Sequence, residues 1–149
     1  MLKFHYVQDQ YFKSMGNASL PSRATTQSAG YDFYSPAFYT IATGQSVMIW
    51  TDVKAEIDDG FVLKIYPKSG LATKRGLILK NTIGVVDADY YGNPSNDGNI
   101  GIMLWNTSDS IQEIQVGEKI AQGIFERYYT VDNDDADGTR VGGFGSTGK

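Results

Sequence analysis

The sequence predicts an all-β protein, a sandwich or barrel of short strands with one short helix. Three observations predict it. Glycine makes up 17 of 149 residues, about 11% against a usual ~7%. Aromatics make up 13%, led by 10 tyrosines, and aromatic and β-branched residues favour pleated, half-buried backbone. Short apolar runs also recur with turn signals between them, the pattern of sandwiches and barrels. At 16.4 kDa the chain suits one domain, which should bury roughly 70% of the surface its unfolded form exposes.

The elements follow in order. Leu2 to Val7 reads as a first strand. Gln8 to Ser28 is polar without a sustained period and reads as loop. Tyr31 to Phe33 and Phe38 to Ile41 are short strands around Pro36. Ser46 to Trp50 and Val53 to Ile57 come next. In the second of these, Val53, Ala55 and Ile57 alternate with Asp52, Lys54 and Glu56, which predicts a half-buried strand. Asp58-Asp59-Gly60 is a turn, and Phe61 to Tyr66 alternates again. Ser69 to Arg75 is the one helical segment, about two turns long. Leu77 to Lys80, Gly84 to Val86, Ile100 to Trp105, Ile111 to Val116 and Lys119 to Phe125 continue the strands. Pro94 to Asn99 (PSNDGN) has no apolar residue and reads as an extended hairpin tip. Asp132 to Gly138 (DNDDADG) reads as a solvated acidic linker; its spacing lacks the Glu of a calcium loop. Residues 1–131 thus form a β-barrel domain, and 132–149 an acidic linker with a mobile Gly-rich arm.

Composition narrows function. There is no cysteine, which excludes disulfides, thiolate metal sites and a cysteine nucleophile. Lys plus Arg is 13 and Asp plus Glu is 17, a net charge of -4, which argues against long nucleic acid as a partner. No apolar run approaches the ~20 residues of a membrane helix. Met1 to Met15 has no signal-peptide core. The expectation is a soluble cytoplasmic protein.

Several segments carry candidate chemistry. The tail GGFGSTGK matches G-x-G-x-x-G and part of a P-loop, but the sequence has no helix after it to meet a phosphate. It reads either as a disordered tail or as an arm whose glycine N–H groups, Arg140, Phe144, Ser146 and Thr147 close over an anionic ligand with a flat ring. Lys68, Ser69 and Gly70 stand at a strand-to-helix junction. There Ser69 caps the helix, or the junction cradles a phosphate. Asp87 follows Val85-Val86, so a partly buried position is expected. It either activates water or serves a turn. Asn81 reads as a base contact or a strand cap, Asp32 as a metal-facing group or a turn brace, and Gln122 as an outward strand residue or a ligand contact. His5, the one histidine, lacks a triad.

The order of these segments is more specific than any one of them. AGYDFYS from Ala29, PKSGLATKRGL from Pro67, GVVDADYYGN from Gly84, GEKIAQGIF from Gly117 and R-VGGFGSTG from Arg140 resemble the five ordered motifs of the homotrimeric dUTPases. The resemblance implies a jelly-roll-like fold and conversion of dUTP and water to dUMP and pyrophosphate. It implies that Asp87 is the general base for in-line attack on the α-phosphorus, and that Tyr90 packs under deoxyribose. Asn81 with Gly84, Val85 and Val86 would read uracil through main-chain groups. Lys68, Ser69, Gly70 and Gln122 would hold phosphate. Phe144 would stack on uracil, with Arg140, Gly145, Ser146 and Thr147 on the outer phosphates. Mg²⁺ would sit mainly on the triphosphate, with Asp32 reaching it through water. Each site would be shared among three subunits, the arm coming from a third chain.

Four features depart from the family pattern and mark a divergent branch, phage or bacterial. Lys68 stands where arginine is usual, which keeps charge but loses the bidentate fork. Arg140 and Phe144 are separated by three residues rather than four. Tyr91 and Asn93 replace Arg and Glu, and PSNDGN is inserted after them. The rival readings are a dCTP deaminase-like enzyme, a nucleotide-sensing regulatory protein gripping an unknown protein partner, and a jelly-roll lectin or capsid domain. Zinc deaminase chemistry is excluded by the missing Cys-x-x-Cys.

Overall fold

In a computed structural model, which describes residues 1–140, 142 and 143, strands carry the ordered structure. The strands are β1 (Lys3–Tyr6), β2 (Tyr31–Tyr34), β3 (Tyr39–Ile41), β4 (Ser46–Trp50), β5 (Val53–Glu56), β6 (Phe61–Pro67), β7 (Leu77–Leu79), β8 (Gly84–Val86), β9 (Gly101–Asn106), β10 (Gln112–Ile114) and β11 (Lys119–Arg127). The helix α1 (Ser69–Arg75) lies between β6 and β7. The all-β expectation with one short helix holds.

All pairings between these strands are antiparallel. One sheet has the order β2-β11-β6-β8 and another β4-β9-β7, with two-stranded sheets β1-β5 and β10-β3 beside them. One apolar cluster joins the sheets: Phe33, Leu63 and Ile65 from the first meet Ile49, Ile102 and Leu104 from the second. Each such side chain contributes about 1.5–3 kcal/mol on burial. Gly123 of β11 makes room for this layer, because a Cβ there would stand 2.8 Å from Phe33 and 2.9 Å from Leu63. The helix buries only Leu71 and ends at Gly76, whose φ of 62° glycine adopts without strain.

Four expectations need correction. First, Pro94–Asn99 is not an extended tip. It is a chain of turns in which Asp97 and Asn99 are fully buried. Asp97 Oδ2 accepts from Lys54 Nζ at 2.7 Å and from the Gln8 amide at 2.8 Å. Asn99 Oδ1 accepts from the Asp52 amide, and its Nδ2 donates to Asp52 Oδ1 at 2.9 Å. Buried polar groups are tolerated where their hydrogen bonds are met.

Second, β5 is buried on both faces, since Asp52 and Lys54 lie inside with Val53 and Ala55. Asp52 adopts φ 58°, a conformation Asp tolerates. Its carboxylate accepts from the amides of Lys13 and Ser14 at 2.8 Å each. It thereby ties down the segment read as plain loop, which also holds a 3-10 turn at Asp9–Tyr11. Third, Lys68, not Ser69, is the N-cap of α1, and no side chain caps it. Fourth, Asp87 is exposed, at 51%. Among the described residues no helix is long and apolar enough to cross a membrane.

Candidate active site

The functional side chains fall into two groups on one chain. The first surrounds β8. This strand is the edge of its sheet, pairing only with β6, so the main-chain groups on its outer side are available to a ligand. Gly84 keeps this pairing close, because a Cβ would stand 3.1 Å from the Ile65 Cβ and one of the two strands would have to give way slightly. A cavity of about 250 Å³ opens between this edge and the β7–β9 pair, the kind of concave, largely apolar site that takes a small ligand. Asn81, Gly84, Val85, Val86, Asp87, Tyr90 and Arg140, all singled out in the sequence, line it.

Asp87 sits at the start of a 3-10 turn, Ala88–Tyr90, and its carbonyl accepts from the Tyr90 amide at 3.1 Å. The turn sends the Asp87 carboxylate outward and the Tyr90 ring inward, where it is 8% exposed. Burial pushes the Tyr90 phenol up from its ordinary pKa, partly opposed by the Asn96 hydrogen bond and the charge of Arg140. Arg140 folds over the cavity mouth and donates to Asp87 Oδ2 at 2.5 Å and to Asp89 Oδ1 at 2.7 Å. Gly143 also lines the cavity, and a Cβ there would stand 3.2 Å from the Tyr90 ring.

The second group lies where β2, β6 and β11 meet. Asp32 is buried on β2, and its two oxygens accept from Lys68 Nζ at 2.6 Å and Lys119 Nζ at 2.8 Å. Burial alone would raise its pKa, but the bonds from Lys119 and Lys68 outweigh that and hold it below the usual carboxylate value. Gln122 pairs with Asp32 across the β2–β11 ladder, and its Nε2 donates to the Pro67 carbonyl at 3.1 Å. Gly30 lets Gln122 lie flat, since a Cβ would stand 2.7 Å from its Oε1. A Cβ on Gly70 would meet nothing within 4 Å, so the fold of this chain gives no reason for glycine there. None of this second group lines the cavity.

Sequence reasoning missed several participants. Lys119 lies inside the GEKIAQGIF segment but gave no signal beyond its charge. Ile65, Leu79 and Ile102 line the cavity as well as the core, which alternation alone does not distinguish. Phe144, Gly145, Ser146 and Thr147 lie outside the described residues. His5 bonds Glu56 at 2.9 Å, away from both groups.

The class the fold defines is an all-β protein with a small-ligand cavity against a strand edge. The particular family follows from comparison. The family model for dUTPase matches residues 16–148. A deoxyuridine 5'-triphosphate nucleotidohydrolase of Lactococcus lactis is 39% identical over 139 residues, spanning 92% of each chain. The mitochondrial human protein of that name is 34% identical over 148 residues, 96% of this chain and 56% of that one. A dUTPase crystal structure from Streptococcus mutans superposes with a TM-score of 0.78 at 35% identity, covering 87% of this chain and 98% of that one. The dUTPase of Staphylococcus bacteriophage 80alpha shares the fold, with a TM-score of 0.73 at 22% identity, covering 94% and 98%. The chain belongs to the dUTPase family.

Proposed function

We propose that the protein hydrolyses dUTP to dUMP and pyrophosphate, with uracil and deoxyribose in the β8 cavity. The observation that carries this reading is the position of Asp87. It is an exposed carboxylate at the mouth of a cavity walled by the free edge of β8. Main-chain donors and acceptors on that edge would pair with uracil, and Asn81 would add an amide. A site of this kind rejects a base that leaves its polar groups unpaired. Tyr90 would pack under the sugar and leave no room for a 2′-hydroxyl.

Water lined up by Asp87 would attack the α-phosphorus in line. Its proton passes to the Asp87 carboxylate, and the bond to the bridging oxygen breaks as pyrophosphate leaves opposite. Lys68, Ser69, Gly70 and Gln122 would bind the phosphates. The open space beside Gly70 supports close approach of a ligand. The substrate is the Mg²⁺ complex of dUTP, whose metal offsets phosphate charge. Asp32 spends both oxygens on lysines, which speaks against direct ligation of the metal.

The separation of the two groups on one chain supports a site completed by other subunits of a homotrimer. The lysine group of one chain would then face the cavity of the next. Residues 132–149 would serve as linker and arm, with Phe144 over uracil and Arg140, Gly145, Ser146 and Thr147 toward the outer phosphates. For a deaminase the described cavity lining offers no glutamate to act on the base. The test is pyrophosphate release from dUTP against dTTP, dCTP and UTP, with and without Mg²⁺. Selective release from dUTP is expected, and Asp87→Asn should bind dUTP without turnover. Equal release from all four, or ammonia from dCTP, refutes the reading.

A further inference from the structure

Tyr90 is held at its far end by the segment that follows it. Its hydroxyl donates to the Asn99 carbonyl at 2.9 Å and accepts from Asn96 Nδ2 at 2.7 Å. The Asn96 amide is used at both ends, since its Oδ1 accepts from the Gly98 amide at 3.0 Å. The main chain is bound in as well. The Asn93 amide donates to the Tyr90 carbonyl at 3.2 Å. Gly98, at φ 81°, passes so close that a Cβ would stand 2.6 Å from that carbonyl.

The segment is itself anchored in the body of the fold. Asp97 is bound by Lys54 and Gln8, and Asn99 by Asp52. A phenol held by packing alone rocks about its Cβ. One held by a donor and an acceptor on a fixed loop must break a hydrogen bond to move. The ring forms part of the cavity wall, so its tilt sets the room beside a bound sugar.

We infer that Asn96 is a positioning residue for Tyr90, and that Pro94–Asn99 thereby sets how strictly the cavity excludes a 2′-hydroxyl. This rests on the reading of Tyr90 as the surface under deoxyribose. Asn96 acts through the tyrosine and need touch no substrate. A loop with only a structural role would change stability and the active fraction, and both alter dUTP and UTP turnover alike. The ratio of the two kcat/KM values responds to ring placement and cancels the active fraction.

The experiment measures kcat/KM for dUTP and for UTP on the full chain with Mg²⁺. Asn96→Ser keeps an oxygen that can accept from the Gly98 amide but is too short to reach the Tyr90 hydroxyl. It should lower the dUTP/UTP ratio roughly three- to tenfold, the effect of one lost hydrogen bond, mainly by raising UTP turnover. Tyr90→Phe deletes this bond together with the one to the Asn99 carbonyl, and should lower the ratio by at least as much. Adding Asn96→Ser to Tyr90→Phe should then change the ratio no further. An unchanged ratio in either single variant, or a further fall in the double variant, overturns the inference. Wild-type protein that releases no pyrophosphate from dUTP overturns instead the functional reading beneath it.

Discussion

Replacing Asp97 with alanine separates two views of the Pro94–Asn99 segment. If the segment were a solvated tip, Asp97→Ala would stay within about 0.5 kcal/mol of wild type, as most surface changes do. The structure buries the Asp97 side chain to 3% exposure and the Lys54 side chain to 10%, with 2.7 Å between them. Alanine would leave the Lys54 ammonium without its carboxylate partner, at about 3–5 kcal/mol. It would also leave the Gln8 amide unpaired, which lies within that range rather than adding to it. The Tyr91 ring, 4.7 Å from Lys54 Nζ, offsets a small part by cation–π attraction. Replacing both partners, Lys54→Met with Asp97→Leu, removes the stranded charge and should recover most of the loss. The assay is urea unfolding followed by fluorescence of Trp50 and Trp105, at one protein concentration so that any assembly contributes equally. A loss under about 1 kcal/mol for Asp97→Ala, or a double variant as unstable as the single, refutes the buried-pair argument.

Three further outcomes are expected. Asp32→Asn should cost about 1–3 kcal/mol near neutral pH. Because the Asp32 pKa is lowered in the fold, its contribution is full above its ordinary value of 3.8 and is lost as pH falls through the lower folded value. Urea midpoints of wild type and variant should therefore converge in acid, and a gap that widens there contradicts the assignment. Gly84→Ala should destabilise by about 1–3 kcal/mol by forcing β8 off Ile65. It should also cut kcat/KM for dUTP about tenfold or more as the strand edge moves; thermal melts and steady-state rates check the two effects. Deleting residues 141–149 should leave a folded trimer by light scattering with little hydrolysis, and full activity of that truncation removes the arm from the reaction.

The regular elements were largely legible. Ser46–Trp50, Ser69–Arg75 and Gly84–Val86 have the predicted bounds, because local alternation and turn chemistry agree with the tertiary environment there. Pro94–Asn99 was not legible, because a run without apolar residues looks solvated. Its burial depends on partners such as Lys54 and Asp52 more than 40 positions away. Lys54 was misplaced for the same reason, as nothing in its own strand shows that a distant aspartate covers it. Several residues singled out in the sequence line one cavity, yet motif order carries no distances. It did not show that Lys68 and Gln122 lie outside the lining of the cavity that holds Asp87, nor that Lys119 shares Asp32 with Lys68.

Local charge explains why that separation matters. Asp32 with Lys68 and Lys119 carries a formal sum of +1, while Asp87 and Asp89 with Arg140 carry -1. The lysine side chains keep 27% and 47% of their surface exposed, so their remaining donors can reach a second anion while Asp32 keeps them in place. The cavity mouth is acidic. In the proposed reaction it would receive the uncharged base and sugar, with Arg140 and Mg²⁺ offsetting its repulsion of the phosphates. On one chain the two groups therefore differ in sign. In the proposed assembly a nucleotide with a neutral head and an anionic tail would span both, with the lysine group of one chain set against the cavity of the next. The net charge of -4 is an average over these regions. It argues against a long polyanion along the surface and carries no weight against a single nucleotide held across such a junction.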